Sequence, residues 1–223
     1  MLKLANPERA KTSRWFFKTG PGQYGEGDRF LGITVPVQRQ LTREFEGLPL
    51  SEIRKLLKSR WHEERALALF VLVRQYAKAD KRARDAIYRC YLGSRDGINN
   101  WDLVDCSAPQ IVGAHLNAGG RRFLRELARS RSLWDRRIAV LATFHFIKNG
   151  QFDDSLAIAR MLLDDREDLI HKAVGWMLRE IGKRDQAALE EFLKANAARM
   201  PRTALRYAIE RFPQPLRRRY LAM

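Results

Sequence analysis

Apolar residues recur at spacings of three and four along almost the whole chain, and this periodicity most limits what the chain can fold into. No sustained stretch alternates apolar and polar residues with β-branched enrichment, as a half-buried strand would. The pattern predicts an all-α protein whose helices are separated by segments rich in Gly, Pro and Asn. These breaks fall at positions 20–27, 47–49, 93–100, 119–120, 149–150, 183–185, 200–201 and 213–215.

Small residues occur at similar places in several of the predicted helices. Ala139 and Ala173 are 34 positions apart, and Ala173 and Ala204 are 31 apart. Ala68 precedes Ala139 by 71 positions, about two such steps. Spacing of this order is typical of stacked helix pairs, because each pair must bury its apolar face on the next. We therefore predict a single domain over residues 1–223, a curved superhelical stack of antiparallel helix pairs, with a compact helical bundle as the alternative.

The charge balance points to a polyanionic partner. The 223 residues include 42 Lys and Arg against 26 Asp and Glu, which gives a formal net charge of +16. A surface with such an excess attracts polyanions and speeds their encounter, so nucleic acid is the expected partner class. The alternative is that the basic composition serves only solubility.

Several other classes of protein are disfavoured. Two cysteines, Cys90 and Cys106, are too few for an iron–sulfur cluster or a disulfide framework, and they fit a reducing cytoplasm. The start of the chain lacks a secretion signal, and the longest apolar run, residues 66–73, is too short to span a bilayer. No metal site is expected, because the histidines lack ligand-spaced companions and are interpreted as core or surface residues: His62, His115, His145 and His171.

The segment 19–28 is the main predicted non-helical element and is rich in glycine. It is not a Walker loop, because the Gly-Lys-Ser/Thr ending is missing. Two interpretations stay open. The segment is either a flexible connector or a mobile flap at a site, with Tyr24 near its tip able to stack on a base.

Residues 99–105, Asn-Asn-Trp-Asp-Leu-Val-Asp, predict a helix that begins near Trp101. Asn99 or Asn100 is suited to capping it, and Asp102 favours its start electrostatically. Asp105 lies one turn after Trp101, on the same face. Taken alone, Asp105 is explained by dipole complementarity or a surface ion pair, and Trp101 by core packing.

Two later segments also combine aromatic and cationic residues. Trp134 is followed by Arg136 and Arg137. Lys172, Trp176 and Arg179 follow one another at spacings of four and three, which places them on one helix face. Arginine and lysine bind phosphate oxygens, and tryptophan offers a face to a sugar or base. Gly175 would allow close approach to this helix, most simply by another helix.

Together these motifs resemble the AlkD-type DNA alkylation repair proteins. The resemblance comprises Trp101-Asp-Leu-Val-Asp105, Trp134-Asp-Arg-Arg137, the segment 172–180 and Phe30-Leu-Gly-Ile-Thr-Val-Pro36, and it runs through roughly residues 10–212. It implies a fold of HEAT-like helical repeats and removal of positively charged 3- and 7-alkylated purines from DNA.

The resemblance also implies roles for individual residues. Asp105 matches the carboxylate that stabilises the sugar cation and positions water, and Trp101 and Trp176 match the rings that hold the deoxyribose. Arg137 matches the arginine that engages the DNA backbone at the lesion, and Arg179 is a further phosphate contact. Trp15 falls where some relatives have a tyrosine and is expected to contact DNA, as are Tyr24 and Lys172.

We therefore expect a monofunctional glycosylase that acts on alkylated double-stranded DNA. We expect it to be a cytoplasmic monomer, associated with the nucleoid when bound, without cofactor, metal or membrane. The long link before Phe30 leaves a second hypothesis open, because some relatives with extra elements there bind branched DNA with little or no glycosylase activity. A third hypothesis is a helical scaffold whose basic face binds an acidic protein.

Overall fold

The computed structural model describes all residues 1–223, and all of its regular elements are helices. It has no β-strands, and its one β-bridge joins Arg29 to Trp61. This confirms the predicted all-α class. Contacts divide the chain into two compact units, residues 1–111 and 112–223. A single continuous domain therefore stays a prediction, and each unit is described by itself.

The first unit contains six α-helices. They are α1 (Pro7–Phe16), α2 (Val35–Glu44), α3 (Leu50–Leu57), α4 (His62–Lys78), α5 (Lys81–Leu92) and α6 (Trp101–Asp105), with short 3₁₀ turns at Leu2–Leu4 and Arg95–Gly97. Helix α4 is central, since α2, α3, α5 and α6 all contact it.

The second unit begins inside a π-helical turn, Pro109–Gly113, which the sequence did not indicate. Its helices are α7 (Ala114–Leu116), α8 (Arg122–Ala128), α9 (Leu133–Ala142), α10 (Phe144–Lys148), α11 (Asp153–Met161), α12 (Asp168–Gly182), α13 (Gln186–Asn196), α14 (Arg202–Ala208) and α15 (Gln214–Leu221). Helix α12 has the central place here, in contact with α9, α13 and α14.

Residues 30–34 form a non-helical stretch that leads into α2, and two sets of contacts fix its path. The carboxylate of Glu63, at the start of α4, accepts hydrogen bonds from the backbone N–H groups of Leu31 (2.9 Å) and Gly32 (2.7 Å). Gly32 has φ +77°, and a Cβ there would overlap the carbonyl oxygen of Asn6 beside α1. The segment therefore contacts both α1 and α4. Gly32 is required because its φ is positive and because a Cβ would not fit there.

The alanines of the predicted repeat all lie inside helices and are buried: Ala68 in α4, Ala139 in α9, Ala173 in α12 and Ala204 in α14. Gly175 shows why small residues are needed at these places. A Cβ at Gly175 would overlap the carbonyl oxygen of Ala204 and lie 2.5 Å from Cβ of Tyr207 on α14. The expected cause of this glycine, helix–helix contact, is confirmed.

The predicted breaks coincide with the ends of helices. Residues 47–49 separate α2 from α3, residues 119–120 separate α7 from α8, and residues 183–185 separate α12 from α13. None of the helices combines the length and apolar character needed to cross a membrane.

Candidate active site

Helix α6 carries the first pair of residues expected to act on DNA. Asn100 caps it, as predicted for one of the two asparagines, by accepting a hydrogen bond from the backbone N–H of Trp101 at 2.8 Å. Leu103 and Val104 are fully buried and fix the inner face of the helix. Trp101 and Asp105, four positions apart, are both half-buried, so they share the face that solvent reaches.

The indole of Trp101 lies against aromatic side chains that follow the end of α1. It stacks on the ring of Phe17, with 5.5 Å between centroids and 26° between planes. It meets Phe16 edge to face at 5.9 Å. Because both neighbours are rigid rings, the orientation of Trp101 is well defined.

The negative charge of Asp105 influences the side chains around the end of α6. Burial raises the pKa of the Cys106 thiol, and the charges of Asp102 and Asp105 raise it further. Burial likewise raises the pKa of the Cys90 thiol. Both cysteines therefore stay neutral thiols at physiological pH and are unsuited to act as nucleophiles.

A buried polar network lies beneath α6, and sequence reasoning missed it. His62 Nδ1 is 3.0 Å from Asp28 Oδ2, and His62 Nε2 is 2.8 Å from Asp102 Oδ2. Arg65 forms a buried ion pair with the other oxygen of Asp28, and Asn100 Nδ2 donates to Asp28 Oδ2 at 3.3 Å. His62 is thus a core histidine, one of the two expected interpretations, and Asp102 has a specific partner as well as a place at the helix start.

The ionisable groups of this network stabilise one another in their charged forms. Burial alone would lower the pKa of His62, but hydrogen bonds to Asp102 and Asp28, with their charges, outweigh it and raise the pKa to about 9. Burial alone would raise the pKa of Asp28, but the hydrogen bond from His62 and the charge of Arg65 lower it. His62 is therefore a buried cation at neutral pH.

The glycine-rich segment 19–28 is organised by its own hydrogen bonds. Gly20 N–H donates to the side chain of Gln23 at 2.9 Å, and Gly22 N–H donates to that of Glu26 at 2.9 Å. The segment ends at Asp28, so its turns deliver a buried carboxylate to His62. Tyr24 is half-buried. The segment thus supplies a member of the core network, and its two interpretations, a connector or a flap at a site, stay predictions.

An exposed basic and aromatic groove lies at the end of α1. Trp15 is 82 % exposed, which is unusual for so large an apolar side chain. It lines a groove of about 620 Å³ together with Lys11, Arg14, Phe16, Lys18, Thr19, Gly20 and Gln23. No acidic side chain lines the groove. Phe16, which lines it, is also the ring that meets Trp101, so the groove adjoins α6.

The second unit holds Trp176 on α12. Its ring is half-buried and lies 5.8 Å from that of Phe144, and its Nε1 donates to Glu180 Oε1 at 3.3 Å. Burial opposes ionisation of Glu180, but hydrogen bonds from Lys183 and Arg184 outweigh it and lower the pKa. An ionised Glu180 therefore fixes the indole by a charge-assisted hydrogen bond.

The cations expected to contact DNA differ in their burial and in the contacts they make within the protein. Lys172 makes an exposed ion pair with Asp168 at 2.6 Å, one turn earlier on α12. Arg179 makes an ion pair with Glu210. Arg137 is 4 % exposed and donates to the carbonyl oxygen of Leu169 at 2.5 Å. Their phosphate contacts stay predictions, and for the two arginines such contacts would use N–H groups other than these.

Arg136, the neighbour of Arg137, has a structural role that the sequence did not reveal. It makes an ion pair with Asp165 at 2.6 Å and donates to the carbonyl oxygens of Ser130 and Arg131. Trp134, on the same helix, is half-buried. The adjacent arginines thus both fix α9 to neighbouring segments of the second unit. No group of three or more His, Cys, Asp or Glu side chains is arranged to hold a metal ion.

The helical fold, with a carboxylate and an indole on a helix that adjoins a basic groove, defines a candidate nucleic-acid-processing protein of the helical-repeat class. Comparison with known proteins gives the family. A family model described as DNA alkylation repair enzyme matches residues 1–212, and the chain belongs to that family. This confirms the resemblance to the AlkD-type proteins.

A solved structure agrees in fold. The chain is similar to a predicted DNA alkylation repair enzyme from Enterococcus faecalis, with a TM-score of 0.71 and 18% identity. The similarity covers 94% of this chain and 97% of that one. No curated protein matches the chain.

Proposed function

We propose that the protein is a monofunctional DNA glycosylase that removes positively charged N3- or N7-alkylated purines from double-stranded DNA. Membership of the DNA alkylation repair enzyme family supports the class of substrate. One geometric observation supports the reaction most strongly. Trp101 and Asp105 share the accessible face of α6, and Phe16 connects that helix to a groove lined by three cations and no acid.

The chemistry requires few protein groups. An N3- or N7-alkylated purine already carries a positive charge, so it leaves without protonation when the N-glycosidic bond breaks and the electron pair passes to the base. The sugar becomes an oxocarbenium ion, and the carboxylate of Asp105 stabilises that charge. Water, held by the same carboxylate, adds at C1′ and releases a proton to solvent. Asp105 interacts more strongly with the transition state than with the neutral sugar, which is the condition for catalysis.

The groove at the end of α1 supplies DNA binding within the first unit. Lys11, Arg14 and Lys18 are exposed and make no ion pair within the protein, so they are free to bind phosphate. Trp15 projects between them and offers a face to a base or sugar. Tyr24, in the adjoining glycine-rich segment, is a further contact in this proposal.

For the second unit, taken by itself, the proposal assigns Trp176 a contact with a deoxyribose and Lys172 a contact with a phosphate. The hydrogen bond from Trp176 to Glu180 keeps the indole in one orientation, as such a role needs. Lys172 can exchange its exposed partner Asp168 for a phosphate at little cost, because exposed ion pairs contribute about 1 kcal/mol or less. Arg137 and Arg179 would add secondary contacts.

The experiment is product analysis on duplexes that contain 7-methylguanine or 3-methyladenine. We expect the free alkylated base to appear while the strand stays intact until alkali cleaves the abasic site. Asp105→Asn removes the charge with little change in volume and is expected to release far less base, whereas Asp96→Asn, outside α6, is the control. If the natural protein binds these duplexes and releases nothing, it is a binding module for damaged or branched DNA.

A further inference from the structure

We propose that His62 is a positioning residue for the reaction, and that its bridge between Asp28 and Asp102 holds the helix that carries Trp101 and Asp105. The inference deepens the proposed glycosylase function and rests on it. It concerns a residue that touches neither DNA nor water in the reaction and acts through α6.

The geometry of the bridge requires both imidazole nitrogens to donate. His62 is 2.8 Å from Asp102 and 3.0 Å from Asp28, and carboxylates in their ionised form can only accept hydrogen bonds. The ring is 3% exposed, so water does not replace either partner. A pKa of about 9 agrees with a histidinium at neutral pH. The charge is thus balanced on both sides, as a buried cation demands.

The bridge contacts the elements that position Trp101 and Asp105 in two ways. Asp102 is the second residue of α6, between Trp101 and Leu103, so its carboxylate fixes the first turn of the helix. The imidazole also packs against Phe17, with 4.9 Å between centroids, and Phe17 in turn stacks on Trp101 at 5.5 Å. Phe30 lies 4.6 Å from the imidazole and itself stacks on Phe17 at 5.1 Å. One side chain therefore supports both the backbone and the indole.

Helix α6 needs such support because it is only five residues long. A helix of this length has no independent stability. Asp28 extends the support to the cap, because Asn100 donates to it at 3.3 Å and accepts from the N–H of Trp101. A displacement of α6 by about 1 Å would move Asp105 away from the sugar, and misplacement of that size can cost about 10²-fold in rate.

A merely structural ion pair would give a different result. In that case, variants of Asp102 would lose stability, and activity would fall only with the fraction of folded protein. A positioning role predicts loss of the chemical step in protein that is fully folded and still binds DNA. The two roles are separated by measuring rate, affinity and stability on the same variants.

The experiment compares Asp102→Ala, Asp102→Asn and His62→Gln with Asp80→Ala. Asp80 is a matched control because it caps α5 in the same unit, accepting from Ala83 N–H at 2.8 Å, and lies outside the network. Single-turnover release of 7-methylguanine is measured at saturating enzyme, with duplex affinity and urea unfolding in parallel. The indole resonance of Trp101, assigned with Trp101→Phe, reports the position of α6 without any need for activity.

We expect Asp102→Ala and His62→Gln to lose about tenfold or more in rate, with affinity within about twofold and the Trp101 resonance shifted. Asp102→Asn keeps an oxygen that accepts from His62 and should recover most of the rate. Asp80→Ala should lose stability alone. The inference is overturned if Asp102→Ala, once folded, releases base as fast as the natural protein.

A failure of the proposed function gives a different pattern. If the natural protein releases no base, the glycosylase proposal fails. The Trp101 resonance is then the measurement that tests whether His62 positions α6. A shift in Asp102→Ala and His62→Gln, but not in Asp80→Ala, then supports the positioning of α6. An unchanged resonance in all three contradicts it.

Discussion

The helices that carry the two key indoles are held in place by opposite means. Helix α6 has five residues, and buried charges from Asp28, His62 and Asp102 anchor it. Helix α12 has fifteen residues, and apolar side chains with Gly175 pack it against its neighbours. A long amphipathic helix buries enough area to fix its own position, whereas a short one depends on directional contacts from distant parts of the chain.

The largest expected effect is on the anchor of α6. Asp28→Ala removes the shared partner of His62 and Arg65, which are both buried. Breaking one side of a buried ion pair leaves an uncompensated charge, so the free energy of unfolding should fall by about 3 to 5 kcal/mol. Urea denaturation measures the loss. A loss below about 1 kcal/mol would mean that apolar contacts hold this region, as they hold α12.

The second effect is the pH dependence of stability. The pKa of His62 is raised above its unfolded value of 6.5 to about 9, so its stabilisation is complete below pH 6.5 and is lost as pH rises through about 9. In that window stability should fall by about 1 kcal/mol per pH unit. His62→Gln should remove this slope. Asp28, whose pKa is lowered, should instead lose its contribution on the acid side, as pH falls below 3.8.

The third prediction probes the packing of α12. Gly175→Ala places a methyl group against the backbone of α14, which cannot yield as a flexible side chain would. Overpacking of this kind should cost about 1 to 3 kcal/mol. Gly47→Ala is the control, because a Cβ there meets nothing within 4 Å and its φ is not positive. Equal unfolding curves for the two variants would refute the close packing of α12.

The smallest expected effect is on the exposed face of α12. Lys172→Ala breaks an exposed ion pair with Asp168 and should change stability by about 0.5 kcal/mol or less. If Lys172 binds a phosphate, the slope of log affinity against log salt should become shallower by about 1. Binding measured from low to moderate salt checks this. An unchanged slope would remove Lys172 from the interface.

The contrast between the helices also explains what the sequence could predict. Periodicity predicted α12 and its buried Ala173, because the signal lies within the helix itself. The motif 101–105 predicted α6 and its cap, because capping is local. The network beneath α6 joins positions 28, 62 and 102, and nothing in their spacing relates them. The sequence therefore predicts only an ordinary core or surface histidine at position 62.

Contacts within the protein likewise limited how well the DNA-binding residues could be predicted from the sequence. Arg137 and Arg179 were expected to contact phosphate, yet each has an acceptor within the protein that lies about thirty positions away in sequence. Trp15 falls where some relatives of the family have a tyrosine, and it is the most exposed of the large apolar side chains. Exposure and internal pairing depend on the tertiary fold, so residue type alone does not separate a DNA contact from a structural one.

The most direct test of the central claim is the rate of base release by Asp105→Asn under single-turnover conditions, on a duplex with one 7-methylguanine. The loss of a charge that stabilises the transition state should lower the rate constant by about 10²- to 10³-fold. Duplex affinity should stay close to that of the natural protein. Equal rate constants for the two proteins would contradict the assignment of Asp105 as the group that stabilises the sugar cation.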